Sequence, residues 1–189
     1  MFFRKTKHSE EDIIKECLKR KPSGQKALYE LYFNYSMSIA MRYASGKDEA
    51  IEIVNDSFLK VFDSLDRYDP KQPLKAWLRQ IVIYTAIDAF RKNQRYQHST
   101  LESHMHLEVS EEESVFSQLH EAAIMECVQK LPPSYRTVFV LYVVEGYKHH
   151  EIATLLKISE GTSKSNLSAA RAQLKKMLVT DTQTVKRHG

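Results

Sequence analysis

The chain has 189 residues, 42% of them hydrophobic, with only 5 Gly and 5 Pro and a formal net charge of +4. That length allows one or two domains with modest cores, and no apolar run approaches the roughly 20 residues that span a bilayer. The mild basic charge permits a nucleic-acid partner without requiring one.

The opening MFFRKTKHSEED has neither the apolar h-region nor the small-residue cleavage site of a secretory signal. Cys17 and Cys127 stand far apart, outside any CxxC pattern, so the expectation is a cytoplasmic protein with buried thiols. Ser9 is placed to cap a first helix through EEDIIKECLKR, whose early acids suit the positive end of the helix dipole. Ile13, Ile14, Cys17 and Leu18 form its apolar stripe, and Pro22-Ser23-Gly24 is expected to stop it. A second helix, about residues 25–45, repeats Leu28, Leu31, Tyr32, Tyr35, Ile39 and Tyr43 near helical spacing, and Gly46 breaks it. The third, 47–65, carries Ile53, Val54, Phe58, Val61 and Phe62 on one side and acids on the other. After the turn RYDPKQP a long helix is expected from Leu74 to about Arg95. Its stripe includes Leu74, Trp77, Leu78, Ile81 and Thr85. Asp88 falls close to that stripe, where a carboxylate needs an internal partner.

From Tyr96 to Gln129 there is no Lys or Arg, and EVSEEES makes the stretch acidic, while basic residues crowd both flanks. Two nucleic-acid-facing modules joined by an acidic connector would show this asymmetry. Residues 96–114 lack a sustained period and read as a partly disordered linker. His104 and His106 within it are a weak, incidental metal signal. An amphipathic helix over 115–130 follows, then LPPS and a helix from Tyr135 to Glu145 that Gly146 stops. TVFVLYVV, flanked by helix signals, is expected to be a fully buried helix and not a strand.

His149–Leu156, the tight turn Lys157-Ile158-Ser159, and a longer helix from Glu160 to about Leu178 have the length pattern of a helix-turn-helix. Ile152, Leu155, Leu156 and Ile158 would pack against Leu167, Ala170, Leu174 and Met177, with Ser159 as N-cap. The remaining face offers Lys164, Ser165, Asn166, Ser168 and Arg171. Cations attract phosphate, and Ser and Asn reach base edges. The same pattern also suits a solvated face in an ordinary bundle. On the long helix, Arg79, Arg91, Lys92 and Arg95 stand near Tyr84 and Tyr96. Cations interleaved with aromatics suit single-stranded DNA, whose bases stack while the cations hold the backbone.

Three segments carry a family resemblance: DEAIEIVNDSFLKVFDSLDRYD, PLKAWLRQIVIYTAIDAFRK, and LPPSYRTVFVLYVVEGYKHHEIATLLKISEGTSKSNLSAARAQLKK. In this order the chain resembles an extracytoplasmic-function (ECF) sigma factor, a minimal member of the sigma-70 family of bacterial RNA polymerase initiation factors. The resemblance implies an all-α fold of two small helical domains: a sigma-two domain over 1–95, a linker over 96–114, a sigma-four domain over 115–180 and a tail over 181–189. It implies that Glu52, Asn55, Asp56 and Lys60 meet the beta-prime clamp of core RNA polymerase. Lys75, Arg79, Tyr84, Arg91 and Lys92 then meet the melted minus-ten element, and the helix-turn-helix reads minus-thirty-five duplex while its domain packs on the beta flap. It further implies an anti-sigma partner, membrane-anchored in many relatives, and no enzyme activity, cofactor, metal or small-molecule substrate. The chain departs from the family at Tyr84, where Asn is usual, at Lys157, where Gly is common, and at Asn166 and Ala169, often Arg.

Two rivals stay open. A plain DNA-binding regulator with a helical sensor or dimerisation domain explains the C-terminal half but not the basic, aromatic helix. A polymerase-bound adaptor leaves the recognition helix unexplained. Asp48, Glu49, Glu52 and Asp56 share one helix, yet no His or Cys stands at ligand spacing, and no phosphate loop or nucleophile elbow accompanies them.

Overall fold

A computed structural model of the chain describes residues 9–97 and 121–185, and among these every regular element is helical. In order they are α1 (Glu10–Leu18), α2 (Pro22–Ala40), α3 (Lys47–Ser64), a 3-10 turn (Leu65–Arg67) and α4 (Leu74–Gln97). Then come α5 (Glu121–Gln129), α6 (Pro133–Phe139), a π-helical turn (Val140–Val144), α7 (His149–Leu156) and α8 (Glu160–Val185). The chain forms two compact units, Met1–Ala40 with Ile51–Thr85, and Met41–Ala50 with Ala86–Gly189.

In the first unit α1 begins as its sequence requires, with Ser9 Oγ accepting from the Asp12 N–H at 3.2 Å. The expected stop at Pro22-Ser23-Gly24 is corrected: Pro22 is the first residue of α2, where a missing N–H loses no bond. The chain reverses just before it, at Arg20, whose φ of 54° is left-handed. Gly24 is buried, and a Cβ there would lie 2.5 Å from Glu16 Cβ. The approach of α2 to α1 therefore depends on a residue without a side chain. The buried stripes are narrower than the apolar spacing suggests. Ile13 and Cys17 are buried in α1, and Leu28, Tyr32, Ser36 and Ile39 in α2. Leu18 and Leu31, each next in sequence to a buried residue and so about 100° round the helix, are 49% and 53% exposed. Val54, Phe58, Val61, Leu78 and Val82 fill the core. Burial, with Glu16 adding to it, pushes the Cys17 thiol up to about 11, so it stays protonated.

The second unit holds a buried cation that no periodic pattern marks. Arg136 in α6 is only 4% exposed. Its guanidinium donates to the carbonyls of Tyr43 at 3.2 Å, Leu131 at 2.8 Å, and Ala44. Burial lowers its pKa, with Glu49 opposing, and the three carbonyls supply the partners a buried charge needs. Gln129 Nε2 donates to the Met41 carbonyl at 3.0 Å.

Three further expectations change. Thr137 to Leu141 are buried, but Val143 and Val144 are exposed, so TVFVLYVV is a buried helix only in its first part. Asp88 is not a core carboxylate: it sits one residue round from buried Ile87, its side chain is 55% exposed, and it pairs with Arg91 at 3.3 Å. α4 reaches Gln97 and α8 reaches Val185, taking in the start of the expected linker and tail. The rest of the acidic linker, with His104 and His106, lies outside the described residues, as does the start of the helix expected at Val115.

Candidate nucleic-acid and polymerase interfaces

The helix-turn-helix is built as its sequence reads. α7 ends on Lys157 in the left-handed region, φ 57° and ψ 44°. Ser159 caps α8, its Oγ accepting from the Thr162 N–H at 2.9 Å. Ile152 and Leu156 of α7, and Ser163, Leu167, Ala170, Leu174 and Leu178 of α8, are buried. Leu155, Ile158 and Met177 are half-buried.

On α8, at about 100° per residue, Lys164, Ser168 and Arg171 fall on one side, and Ser165 lies about 100° round from Lys164. Asn166, about 200° round, lies on the opposite flank, so the five candidates do not share one narrow stripe. Lys164 is exposed and pairs with Glu160 at 3.3 Å, while the other four are half-buried. Ser165 Oγ donates to the Thr162 carbonyl at 3.1 Å. Arg171 lies 6.0 Å from the centroid of the Tyr142 ring. Ala169, where an Arg would have supplied a further cation, is buried.

Beside this helix stands His149, which no motif or spacing singles out. Its ring stacks on Tyr142, centroids 4.6 Å apart and planes 24° apart, and its Nδ1 is 2.9 Å from Ser163 Oγ. Burial, then the charges of Lys164 and Arg171, hold its pKa below the ordinary imidazole value, with Glu160 opposing. Contacts between residues so far apart in sequence leave no periodic trace.

The basic residues of α4 are strung out along it. Lys75 and Lys92 stand about 25 Å apart along the axis. Lys75 Nζ lies 4.5 Å from the Tyr35 ring centroid, a cation–π contact. Tyr84 is 43% exposed, Arg79 half-buried and Lys92 exposed. Arg91 is more engaged, donating to the Leu155 carbonyl as well as pairing with Asp88.

On α3, Glu52, Asn55, Asp56 and Lys60 are all exposed. Leu59, which the sequence reading did not include, lies among them and is 62% exposed. Asn55 Oδ1 accepts from the Tyr29 hydroxyl at 2.9 Å. Among the described residues no group of three or more His, Cys, Asp or Glu could hold a metal ion, and no helix is long and apolar enough to cross a membrane.

Comparison with known proteins resolves what this arrangement belongs to. The family model described as Sigma-70 region 2 matches residues 28–96, and the one described as Sigma-70, region 4 matches residues 121–174. The chain is 30% identical over 133 residues to the RNA polymerase sigma factor SigV of Bacillus subtilis, covering 70% of this chain and 77% of SigV. It is 26% identical over 183 residues to the ECF RNA polymerase sigma factor SigW of the same organism, covering 89% and 98% of the two chains. Among solved structures, the sigma factor RpoE of Bartonella quintana, crystallised with the anti-sigma factor NepR, is similar at a TM-score of 0.48 and 24% identity, covering 82% and 97%. The chain belongs to the sigma-70 family, in its ECF group. Its function is that of an RNA polymerase sigma factor in the initiation of transcription.

Proposed function

We propose that this sigma factor docks on the polymerase clamp with α3, takes hold of melted minus-ten DNA with α4, and reads minus-thirty-five duplex with α8. The observation that carries the reading is the capped helix-turn-helix, whose second helix opens with Lys164, Ser165 and Ser168 just beyond the cap. The opening turns of such a helix are the part that enters a major groove. Glu52 and Asp56 on α3 would repel phosphate, which suits a protein partner there. Lys75, Arg79, Tyr84, Arg91 and Lys92 supply cations and an exposed ring for unpaired strand.

The working division is a sigma-two domain over 1–95, a linker to 114, a sigma-four domain over 115–180 that packs on the beta flap, and a tail. The protein acts in the cytoplasm without catalysing a reaction, and an anti-sigma factor restrains it until the promoter set is needed. Run-off transcription with purified core enzyme from the source organism tests this. Promoter-specific transcripts should depend on both the chain and the core. A chain that occupies its DNA site and represses without core enzyme would instead be a plain regulator.

A further inference from the structure

The contacts around His149 have a mechanical meaning for the helix beside them. Ser163 lies on the buried side of α8 in its first turn, and Arg171 follows eight residues later, about 12 Å further along the axis. Near the start, Ser163 meets Nδ1 of His149; further on, Arg171 lies over Tyr142, the ring on which His149 stacks. One stacked pair thus holds α8 at two heights. Two attachments at separate heights restrain both the roll of a helix about its axis and its tilt. Roll decides which side chains face a groove, because each residue is about 100° from the next.

We propose that His149 is a positioning residue for duplex reading: stacked on Tyr142 and bonded to Ser163, it sets the roll of α8 and hence where Ser165, Ser168 and Arg171 stand against the DNA. The inference rests on the reading of α8 as the minus-thirty-five reader. The hydrogen bond survives a change of tautomer, since the Ser163 hydroxyl can donate to a bare Nδ1 or accept from Nδ1–H. The imidazole is faced by Lys164, Arg171 and Glu160 from α8 and by Tyr142 from the π-helical turn. Phosphates that neutralise Lys164 and Arg171 remove two of the charges opposing its protonation. His149 then takes up a proton as duplex binds, and the affinity of the wild-type protein rises as pH falls through the imidazole range.

The test uses holoenzyme assembled with the full chain, comparing transcription from a promoter with that from the same promoter carrying a substituted minus-thirty-five element. His149→Phe keeps a ring on Tyr142 and removes Nδ1; Ser163→Ala removes the other partner. Each should lower the discrimination ratio by about 3- to 10-fold, the scale of one net hydrogen bond. The double variant should lose little more, since the two residues act as one unit. His149→Asn, which can bring an amide close to the Nδ1 position, should recover part of the ratio. The relative gain of duplex affinity between pH 7.5 and 5.5 should be smaller for His149→Phe than for wild type. Folded single variants with an unchanged ratio overturn the proposal, as does a uniform loss on both promoters. If Ser165→Ala and Asn166→Ala are silent as well, the assignment of α8 as reader falls too; if they shift promoter choice while His149→Phe and Ser163→Ala do not, only the positioning role falls.

Discussion

The outer face of α3 and the polar face of α8 are built in opposite ways. On α3, Glu52, Asn55, Asp56, Leu59 and Lys60 are all exposed. On α8, four of the five candidate reading residues are half-buried, and Ser165, Arg171 and Lys164 are engaged by Thr162, Tyr142 and Glu160. On the proposed docking face the side chains can stand in solvent, because a protein partner supplies the surface that covers them, although Asn55 is already oriented by Tyr29. A face that must tell one base pair from another gains from being ordered beforehand, since a misplaced donor finds the wrong acceptor. Substitutions on α3 should therefore alter partner affinity with little change in stability, whereas those around α8 should touch selectivity and stability together.

The sharpest break of that contrast is charge reversal on α3. Asp56→Lys should weaken binding to core enzyme by several kcal/mol if a basic clamp surface faces it. Its own thermal unfolding should move little, because an exposed substitution usually shifts stability by less than about 0.5 kcal/mol. Unchanged core affinity in a folded variant would remove α3 from the docking surface. Next in size, Ser165→Ala or Asn166→Ala should change which upstream base pairs are preferred, by roughly 1–3 kcal/mol for each well-formed hydrogen-bond pair to a base edge that is removed. Competition between promoters for holoenzyme would measure it. Arg171→Ala should instead weaken all promoters alike and flatten the salt dependence of binding by about one unit of slope.

A smaller effect is expected at the turn between the two helices. Lys157 holds a left-handed conformation that glycine adopts without strain. Lys157→Gly should raise stability by up to about 1 kcal/mol, read as a shift in the urea midpoint, while leaving promoter choice alone. The least effect is a pH dependence. His149 is held below its ordinary pKa when folded, so its contribution to stability is complete above about 6.5, the unfolded value. That contribution declines as pH falls from there toward the folded pKa, because the unfolded chain then binds more protons. Wild type should lose slightly more stability than His149→Phe between pH 7 and 5; equal losses would mean that the imidazole is not perturbed.

Much of this architecture is written in spacing. Ser9 and Ser159 announce the helices they cap, and the α7–turn–α8 lengths announce the helix-turn-helix. What spacing does not convey is how wide a buried stripe is, so it places Leu18, Leu31 and Asp88 one residue too far inward. Pro22 resembles a stop because proline serves both ends of a helix, and only the tertiary approach at Gly24 distinguishes the two uses. Arg136 goes unmarked by spacing, since its partners are carbonyls, which every residue carries. The five candidates on α8 do share one helix, but counting turns sends Asn166 to the far flank, which a list of adjacent polar residues conceals.

The hydrogen bond from Tyr29 to Asn55 restricts what α3 can ask of the partner proposed for it. With the Tyr29 hydroxyl donating to it, the Asn55 carbonyl oxygen already has a donor, and the amide has its two N–H groups left to give. The tyrosine is itself wedged against Phe58, ring centroids 4.7 Å apart, so the amide plane has few orientations to choose from. Whatever lands here meets a donor whose direction is settled in advance and surrenders little rotational freedom on contact. If α3 docks on the clamp as proposed, a complementary surface would present an acceptor at that point, a carbonyl or carboxylate set among cations that face Glu52 and Asp56. Through Asn55 the proposed docking face carries a built-in grammar of donor before acceptor.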